Sequence, residues 1–194
     1  MRSIPLPDPP LTDGEIRLRQ WERRDVPAVT AACQDPEIPR WTVVPHNYTE
    51  RHARDFIAGA GGDIAAGREL ALAVVDADDR VLGALGVSNF DWPDLKAEIG
   101  YWMAPESRRR GIGARATRML AVWALTSLGL ERIELLANPE NDASQRLAER
   151  AGFTREGTLR RYRRRHGVRE DLVMFSLLAE DIGTRDDGSV ELPR

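Results

Sequence analysis

The chain has 194 residues, of which 42% are hydrophobic and 30% are charged, with 16 glycines and 12 prolines. This balance excludes collagen-like, low-complexity and wholly disordered proteins, and the length is sufficient for one domain with its own hydrophobic core. The formal net charge of -3 argues against a protein that binds nucleic acid nonspecifically over its whole surface.

Hydrophobic periodicity divides the chain into an N-terminal arm (residues 1–13), one domain (14–180) and a polar C-terminal tail (181–194). Within the domain, alternation of apolar and polar residues indicates strands, and helical spacing after a capping residue indicates helices. The first predicted elements are a strand over 15–20, a helix capped by Asp25, a helix capped by Thr49 and ended by the glycines at 59, 61 and 62, and a hairpin of strands 69–76 and 81–90.

The second half of the domain begins with a strand that runs into the segment RRRGIGA and a long helix. Strands dominate here and helices lie between them, so the predicted class is α+β with a mixed sheet. The predicted elements are a strand over 97–103, a helix from Ile112 that Gly129 ends, a strand over 131–137, a short helix capped by Asn141, and strands around 153–157 and 171–178.

The segment RRRGIGA carries the clearest chemical signal. Glycines at 111 and 113 leave room beside the unpaired amides of a first helical turn, which bind anions with the help of the helix dipole. Arg108, Arg109 and Arg110 add positive charge, so a pyrophosphate is the expected ligand. The third glycine of the dinucleotide fingerprint and the ending of the nucleotide P-loop are both missing. Taken alone, the two glycines also fit ordinary turn chemistry.

Two longer segments resemble motifs of the GCN5-related N-acetyltransferase (GNAT) superfamily. EIGYWMAPESRRRGIGARA resembles motif A, whose pattern Gln/Arg-x-x-Gly-x-Gly/Ala is filled by Arg108, Gly111 and Gly113. NPENDASQRLAERAGF resembles motif B, in which an Asn and a Ser open a short helix. The resemblance extends over residues 15–180 and is greatest to the branch that contains the Rim-type ribosomal-protein N-terminal acetyltransferases.

The resemblance implies a GNAT fold, a mixed and mostly antiparallel sheet flanked by helices, with a parallel strand pair that splays apart. Strands 97–103 and 132–137 would form this pair, and acetyl-CoA would lie between them as the co-substrate, without a metal ion. The amide of Met103 would donate to the thioester carbonyl. The residues implied in binding acetyl-CoA are Met103, Arg108, Arg109, Arg110, Gly111, Ile112, Gly113, Ala114, Asn138, Asn141 and Ser144.

Glu98 is the first candidate for the base that accepts a proton from the acceptor amine through water. Alternatively, it is a surface or salt-bridged carboxylate of its strand. Ser144 matches the position from which the Rim branch is thought to protonate the leaving thiolate, although a serine three residues after Asn141 also fits helix-start chemistry. The glutamate that serves the Rim branch as a candidate base falls here near Arg163, which puts ribosomal-protein specificity in doubt.

Two further features concern the acceptor side. Trp41 and Trp92 are predicted in loops that border the acceptor entrance, either as an apolar wall or as loop anchors. The arginine run 160–165 is interpreted as a solvated hairpin or, alternatively, as a surface for an acidic substrate or ribosomal RNA. Its neighbours are Arg155, His166 and Arg169, with Glu156, Glu170 and Asp171 as the balancing carboxylates.

The sequence therefore predicts an N-acetyltransferase that transfers acetyl directly from acetyl-CoA to a primary amine, in a small molecule or at a peptide or protein N-terminus. The alternatives are a non-catalytic acyl-CoA-binding sensor and a ribosome- or RNA-docking module. Cys33 is far from both motifs and gives no support to an acetyl-cysteine route.

Location and assembly are predicted from composition and edges. The single cysteine favours a reducing cytoplasm, and no cysteine–histidine cluster has zinc-ligand spacing. Since no stretch approaches ~18 apolar residues, no membrane partner is expected. A homodimer is expected because the last strands offer an edge for pairing, and nucleic acid is not expected as a partner.

Overall fold

The computed structural model describes residues 3–165, 167–184 and 190–191. Seven strands form one sheet in the order β1-β2-β3-β4-β5-β7-β6, and β4–β5 is the one parallel pair among them in these ranges. This confirms the predicted α+β class with a mixed, mostly antiparallel sheet. The strands are β1 (Ile16–Arg19), β2 (Glu69–Asp76), β3 (Val81–Asp91), β4 (Lys96–Met103), β5 (Arg132–Ala137), β6 (Thr154–Arg165) and β7 (Val168–Leu178).

Helices cover both faces of the sheet and give it two hydrophobic cores. The core on one face, here called the α4 face, includes Ile99, Met103 and Leu120. The core on the other, the α3 face, includes Trp102, Ile38 and Ala53. Successive residues of β4 thus point to opposite faces, as the pleat requires. The helices are α1 (Val26–Ala32), α2 (Glu37–Trp41), α3 (Glu50–Ala65), α4 (Ile112–Ser127) and α5 (Asp142–Arg150).

Helix α3 is longer than predicted. Thr49 caps it as expected, accepting from the His52 N–H at 3.4 Å, but the helix continues through the glycines at 59, 61 and 62. Each glycine costs a helix only about 1 kcal/mol. Burial of Ala60 and Ile64 one turn apart offsets this cost, so the prediction that the glycines end the helix was wrong.

Asp25 stands at the predicted cap position of α1, but its side chain does not cap the helix. Its carboxylate instead accepts from the Arg19 guanidinium at 2.8 and 2.9 Å and from the Glu22 N–H at 2.8 Å. A buried arginine–carboxylate pair outcompetes a single amide for the same oxygens.

The short helix α2 was not predicted from the sequence. Trp41 is the last residue of this helix and does not lie in a loop.

The last hairpin is also longer than predicted, and the arginine run 160–165 lies inside β6. As the edge strand, β6 exposes most of its side chains, so no hydrophobic alternation marks it in the sequence, and its pairing with β7 maintains it.

The N-terminal arm is draped over the domain. The side chain of Ile4 is 2% exposed, and its N–H donates to Ile64 O at 3.2 Å. Of the predicted polar tail, Gly183–Thr184 and Val190–Glu191 form a short antiparallel pair. Residues 185–189 and 192–194, and His166 beside the arginine run, lie outside the described residues. Among the residues that are described, no helix is long and apolar enough to cross a bilayer.

Candidate active site in the cleft between β4 and β5

The parallel strands β4 and β5 are paired over only three residues each. Residues 96–98 pair with residues 132–134, and the described pairing ends there although β4 continues to Met103 and β5 to Ala137. The two strands therefore diverge toward their carboxyl ends and open a cleft, as the splayed pair in the sequence analysis implies.

The diverging part of β4 presents free backbone donors to this cleft. Gly83 lies opposite Met103, and the next residue, Ala104, donates its N–H to Leu82 O at 2.9 Å. Because hydrogen bonding alternates along an antiparallel ladder, the N–H groups of Tyr101 and Met103 point away from β3, towards the side that β5 has left. Unpaired donors inside a sheet need a partner. The N–H of Met103, which the sequence analysis predicts as a donor, is thus one of two free donors, and the N–H of Tyr101 is the other.

The turn from β4 to α4 has the geometry of an anion site. Arg109 and Gly111 have left-handed backbones, with φ of 61° and 74°, and no side chain caps α4. Arg115 donates to Gly111 O, so the N–H groups of residues 112–114 have no acceptor within the helix. A turn of this kind forms a concave set of N–H groups that binds anions. Ile112 and Ala114 are buried, so they offer only their amides.

Gly113 has a packing role that the sequence analysis did not foresee. A Cβ at this position would lie 2.6 Å from Leu147 Cδ1 and 3.4 Å from Met103 Cγ. The start of α4 is therefore seated directly between β4 and α5. A side chain at Gly113 would disturb this packing whether or not a ligand is bound.

The three arginines of the turn differ in their surroundings. Arg108 donates through Nε to Met103 O at 3.1 Å and through Nη1 to Asp35 Oδ2 at 3.1 Å, so its guanidinium is already engaged. Arg109 and Arg110 are exposed, and neither makes an ion pair within the described ranges. They are the positive charges available to an anion in the turn.

A row of polar side chains crosses the α3 face at the level where the strands begin to part. Glu69, Ser88, Glu98 and Glu134 lie opposite one another on β2, β3, β4 and β5. Directly opposed residues share a face, and adjacent strands lie ~4.8 Å apart. Glu69 is half-buried, and burial, reinforced by the charge of Asp63, raises the pKa of its carboxyl. As the first residue of an apolar strand, it gave no sequence signal of this placement.

Glu98 is a carboxylate without an arginine partner among the residues that the structure describes. It is half-buried and accepts from Asn89 Nδ2 at 2.9 Å, and no ion pair to it is found in the described part of the chain. Its neighbour Glu134 is bound by Arg132 Nε at 2.8 Å. Arg132 also binds Glu156 and lowers the pKa of that carboxyl to about 2. The alternative of a salt-bridged Glu98 is thus not what the structure shows.

Gly100 leaves the α3 face open beside Glu98. A Cβ built on Gly100 would meet no atom within 4 Å. The next residue on this face, Trp102, is buried in the core. A molecule approaching from the α3 face therefore reaches the backbone of β4 at Gly100, next to the Glu98 carboxylate.

The α4 face of the cleft carries a hydroxyl pair. The Tyr101 hydroxyl donates to Ser144 Oγ at 2.8 Å, and burial raises the pKa of Tyr101 to about 12. Asn141 caps α5 by accepting from the Ser144 N–H at 3.0 Å. Asn138 shapes the preceding turn by accepting from the Glu140 N–H at 2.9 Å. Asn141 thus starts α5, and Ser144 combines this helix-start position with a hydroxyl that contacts Tyr101; protonation of the thiolate by Ser144 stays a prediction. Tyr101 was not among the residues for which the sequence indicated a role in catalysis or binding.

The arginine run is only partly balanced by the three carboxylates expected to do so. Glu170 pairs with Arg165 at 2.7 Å, Asp171 accepts from the backbone N–H of Arg161 at 2.7 Å, and Glu156 belongs to Arg132. Within the ranges that the structure describes, no carboxylate pairs with the side chains of four arginines on β6, namely Arg160, Arg161, Arg163 and Arg164.

The sequence of this chain is similar to those of known acetyltransferases. The family model of the acetyltransferase (GNAT) domain matches residues 15–154. The chain is 30% identical over 167 residues to an uncharacterized N-acetyltransferase, p20, of Bacillus licheniformis, covering 86% of this chain and 94% of that protein. It is 38% identical over 104 residues to the putative ribosomal N-acetyltransferase YdaF of Bacillus subtilis, covering 54% and 57%.

Solved structures share the fold. Mycobacterium smegmatis RimJ in complex with CoA-disulfide superposes with a TM-score of 0.77 at 24% identity, covering 92% of this chain and 91% of RimJ. The family model spans most of the domain, and the p20 match covers nearly the full length of both chains. The chain therefore belongs to the GNAT family of acetyltransferases.

Proposed function

We propose that this protein is an N-acetyltransferase that transfers the acetyl group of acetyl-CoA directly to a primary amine. The observation that carries the proposal is the cleft between β4 and β5. There, two unpaired strand amides lie between the Glu98 carboxylate on one face, which has no ion-pair partner among the described residues, and the Tyr101–Ser144 hydroxyl pair on the other. Direct transfer needs a proton acceptor for the amine and a proton donor for the thiolate, and the two faces offer one each.

The cleft fits acetyl-CoA by the chemistry of its donors. The pantetheine arm carries amide and thioester carbonyls, and the N–H groups of Tyr101 and Met103 are unpaired donors of the right kind. The pyrophosphate matches the free amides of residues 112–114 together with the exposed Arg109 and Arg110. Bound acetyl-CoA supplies a thioester whose acetyl group is activated for transfer to an amine.

The residues on the α3 face prepare the amine. The acceptor enters over Gly100, and its nitrogen attacks the acetyl carbon from this side of the sheet. Glu98 accepts, through water, the proton that the nitrogen loses when the carbon–nitrogen bond forms. Asn89 holds the Glu98 carboxylate with its amide, and this hydrogen bond fixes the carboxylate without neutralising it.

The residues on the α4 face serve the leaving group. The Tyr101 phenol is protonated at neutral pH, as an ordinary tyrosine is, and burial raises its pKa further, to about 12; it donates to Ser144 Oγ. The Ser144 hydroxyl donates its own proton to the sulfur when the carbon–sulfur bond breaks, and it takes the Tyr101 hydroxyl proton in its place. Tyr101 regains a proton from solvent when the products leave. The amides of Tyr101 and Met103 stabilise the negative charge that develops on the carbonyl oxygen.

The acceptor is a primary amine, in a small molecule or at a peptide or protein N-terminus. The cytoplasmic location and the homodimer stay predictions. Thiol release from acetyl-CoA across a panel of amines and peptides tests the proposal, and turnover on at least one acceptor is expected. Tight acetyl-CoA binding without turnover on any acceptor would indicate the non-catalytic sensor. Ribosome binding that weakens steeply with salt, without turnover, would indicate a docking module. The contacts would then be made by Arg160, Arg161, Arg163 and Arg164 of β6.

The cofactor site is tested by charge reversal at an exposed position. We expect Arg110→Glu to raise the Kd for CoA about tenfold at low salt, because a carboxylate then faces the pyrophosphate, and to matter less at high salt. Isothermal titration calorimetry measures the effect. Arg23→Glu, at an exposed arginine near α1, is the matched control and leaves the affinity unchanged. Equal affinities of the two variants at low salt would contradict the anion site.

The role of Glu98 is tested by Glu98→Gln. A general base contributes roughly 10²- to 10⁴-fold, so turnover at neutral pH should fall about 10²-fold while CoA affinity stays unchanged. The defect should shrink as the pH rises, because more of the amine is then already neutral. Glu149→Gln, at an exposed glutamate of α5, is the control. A lower melting temperature with an unchanged pH profile would show a structural carboxylate, and full activity would assign the proton to water or another group such as His46.

The hydroxyl pair is tested by Tyr101→Phe and Ser144→Ala, alone and together. If the two act as one chain, each single variant lowers turnover and the double variant is little worse than Ser144→Ala. An acetyl donor with a more acidic thiol leaving group should restore the rate of both, because it needs no proton. Losses that add independently, or that the better leaving group does not restore, would contradict the assignment.

A further inference from the structure

The short helix α2 lies on the α3 face across the opening of the cleft. Two of its residues, Ile38 and Pro39, are buried, and Ile38, at 3% exposure, belongs to the same core as Trp102 and Ala104 at the end of β4. Five residues cannot form a stable helix alone. The position of α2 therefore depends on this burial together with the contacts at its two ends.

The first end of α2 is attached to the turn that follows β4. Asp35 Oδ1 accepts from the Glu37 N–H at 2.8 Å and so holds the start of the helix. The other oxygen, Oδ2, pairs with Arg108 at 3.1 Å, and the two side chains are 18% and 33% exposed. Arg108 in turn donates through Nε to Met103 O. One guanidinium thus joins α2 to the strand end that presents the Met103 amide.

The second end of α2 is attached to the hairpin β6–β7. Arg165 Nη1 donates to the carbonyl oxygen of Arg40, in the last turn of the helix. Arg165 is itself held by Glu170 at 2.7 Å, and these side chains are only 12% and 17% exposed. Since β5 lies between β4 and the β6–β7 hairpin in the sheet, a helix that contacts the turn after β4 at one end and Arg165 of β6 at the other spans the ends of the diverging strands.

We propose that Arg108 is a positioning residue. It joins the turn of residues 108–114, where the cofactor binds, to helix α2, which borders the acceptor entrance. Its guanidinium does not bind the pyrophosphate, and it instead holds α2, with Trp41 at its end, against the α3 side of the cleft. When an anion binds to the turn of residues 108–114, it restricts the motion of this turn. Through its ion pair, Arg108 then also restricts the motion of Asp35 and α2. The acceptor is then bound more tightly by the loaded enzyme. This inference rests on the proposed function.

The variant Asp35→Asn separates the two roles of Arg108. The asparagine oxygen can still accept from the Glu37 N–H, but the ion pair to Arg108 is lost. We expect the KM for an amine identified in the panel to rise about tenfold, with kcat changed less and the Kd for CoA within about twofold of wild type. Arg108→Gln should act in the same direction, and the double variant should be little worse than either single one. Asp55→Asn, at an exposed aspartate of α3, is the control.

A readout that needs no turnover follows Trp41. The fluorescence of Trp41 is the difference between the signal of each protein and that of the same protein carrying Trp41→Phe. Its quenching by acrylamide is then measured. In wild type, CoA should reduce this quenching, and in Asp35→Asn it should not. Before CoA is added, Trp41 of the Asp35→Asn protein should already be quenched more than that of wild type, because α2 has lost one attachment. This comparison of ligand-free proteins stands even if no acceptor is found.

The outcomes separate failure of this inference from failure of the proposed function. If Asp35→Asn and wild type agree in both quenching and KM, Arg108 does not position α2. If Asp35→Asn or Arg108→Gln weakens CoA binding as much as it raises KM, Arg108 is a cofactor ligand, and the inference is again wrong. If wild type binds no CoA and acetylates no amine, the proposed function fails, whereas the ligand-free quenching still decides whether Arg108 holds α2.

Discussion

The functional geometry of this protein depends on the early end of the pairing between β4 and β5. Hydrogen bonding stops after Glu98 and Glu134, and beyond this point two strands of the same sheet move apart. The start of α4 occupies the space on one side, because Gly113 brings its backbone into contact with Met103 and Leu147. Separation leaves strand amides without partners, which a sheet accepts only where something else satisfies them. The cleft is therefore a structural cost, and its free amides are the donors that the proposed co-substrate would satisfy.

The sheet divides the proposed chemistry between its two faces. Alternation along β4 sends Glu98 to the α3 face and Tyr101 to the α4 face, although the two residues are only three positions apart. A carboxylate and a phenol that met directly would exchange a proton or hydrogen-bond to each other. Placed on opposite faces, each keeps its own partner, Asn89 for Glu98 and Ser144 for Tyr101. The strand pleat thus keeps proton acceptor and proton donor separate within one cleft.

Arginine pairing decides which carboxylates near the cleft remain available. Arg132 binds Glu134 and Glu156, and Arg165 binds Glu170. Arg108 binds Asp35. An arginine beside a carboxylate stabilises its charged form and weakens it as a base. Glu98 keeps only an amide donor in the described structure, so its distinction comes as much from the pairing of its neighbours as from its own position.

The sequence by itself determined the class of the fold, the anion turn and the family, because these depend on local patterns. Sequence reasoning identified the glycines beside a first helical turn, the cap Asn141 and the apolar runs of β2, β3 and β4, which all act over a few residues. Only the tertiary structure decided the length of α3, the existence of α2 and the partner of Asp25, because burial and an ion pair there override local preference. The same holds for the site. Asp35 lies 73 positions before Arg108, and Ser144 lies 43 after Tyr101. No local pattern records such contacts, which arise only when the sheet brings distant segments together.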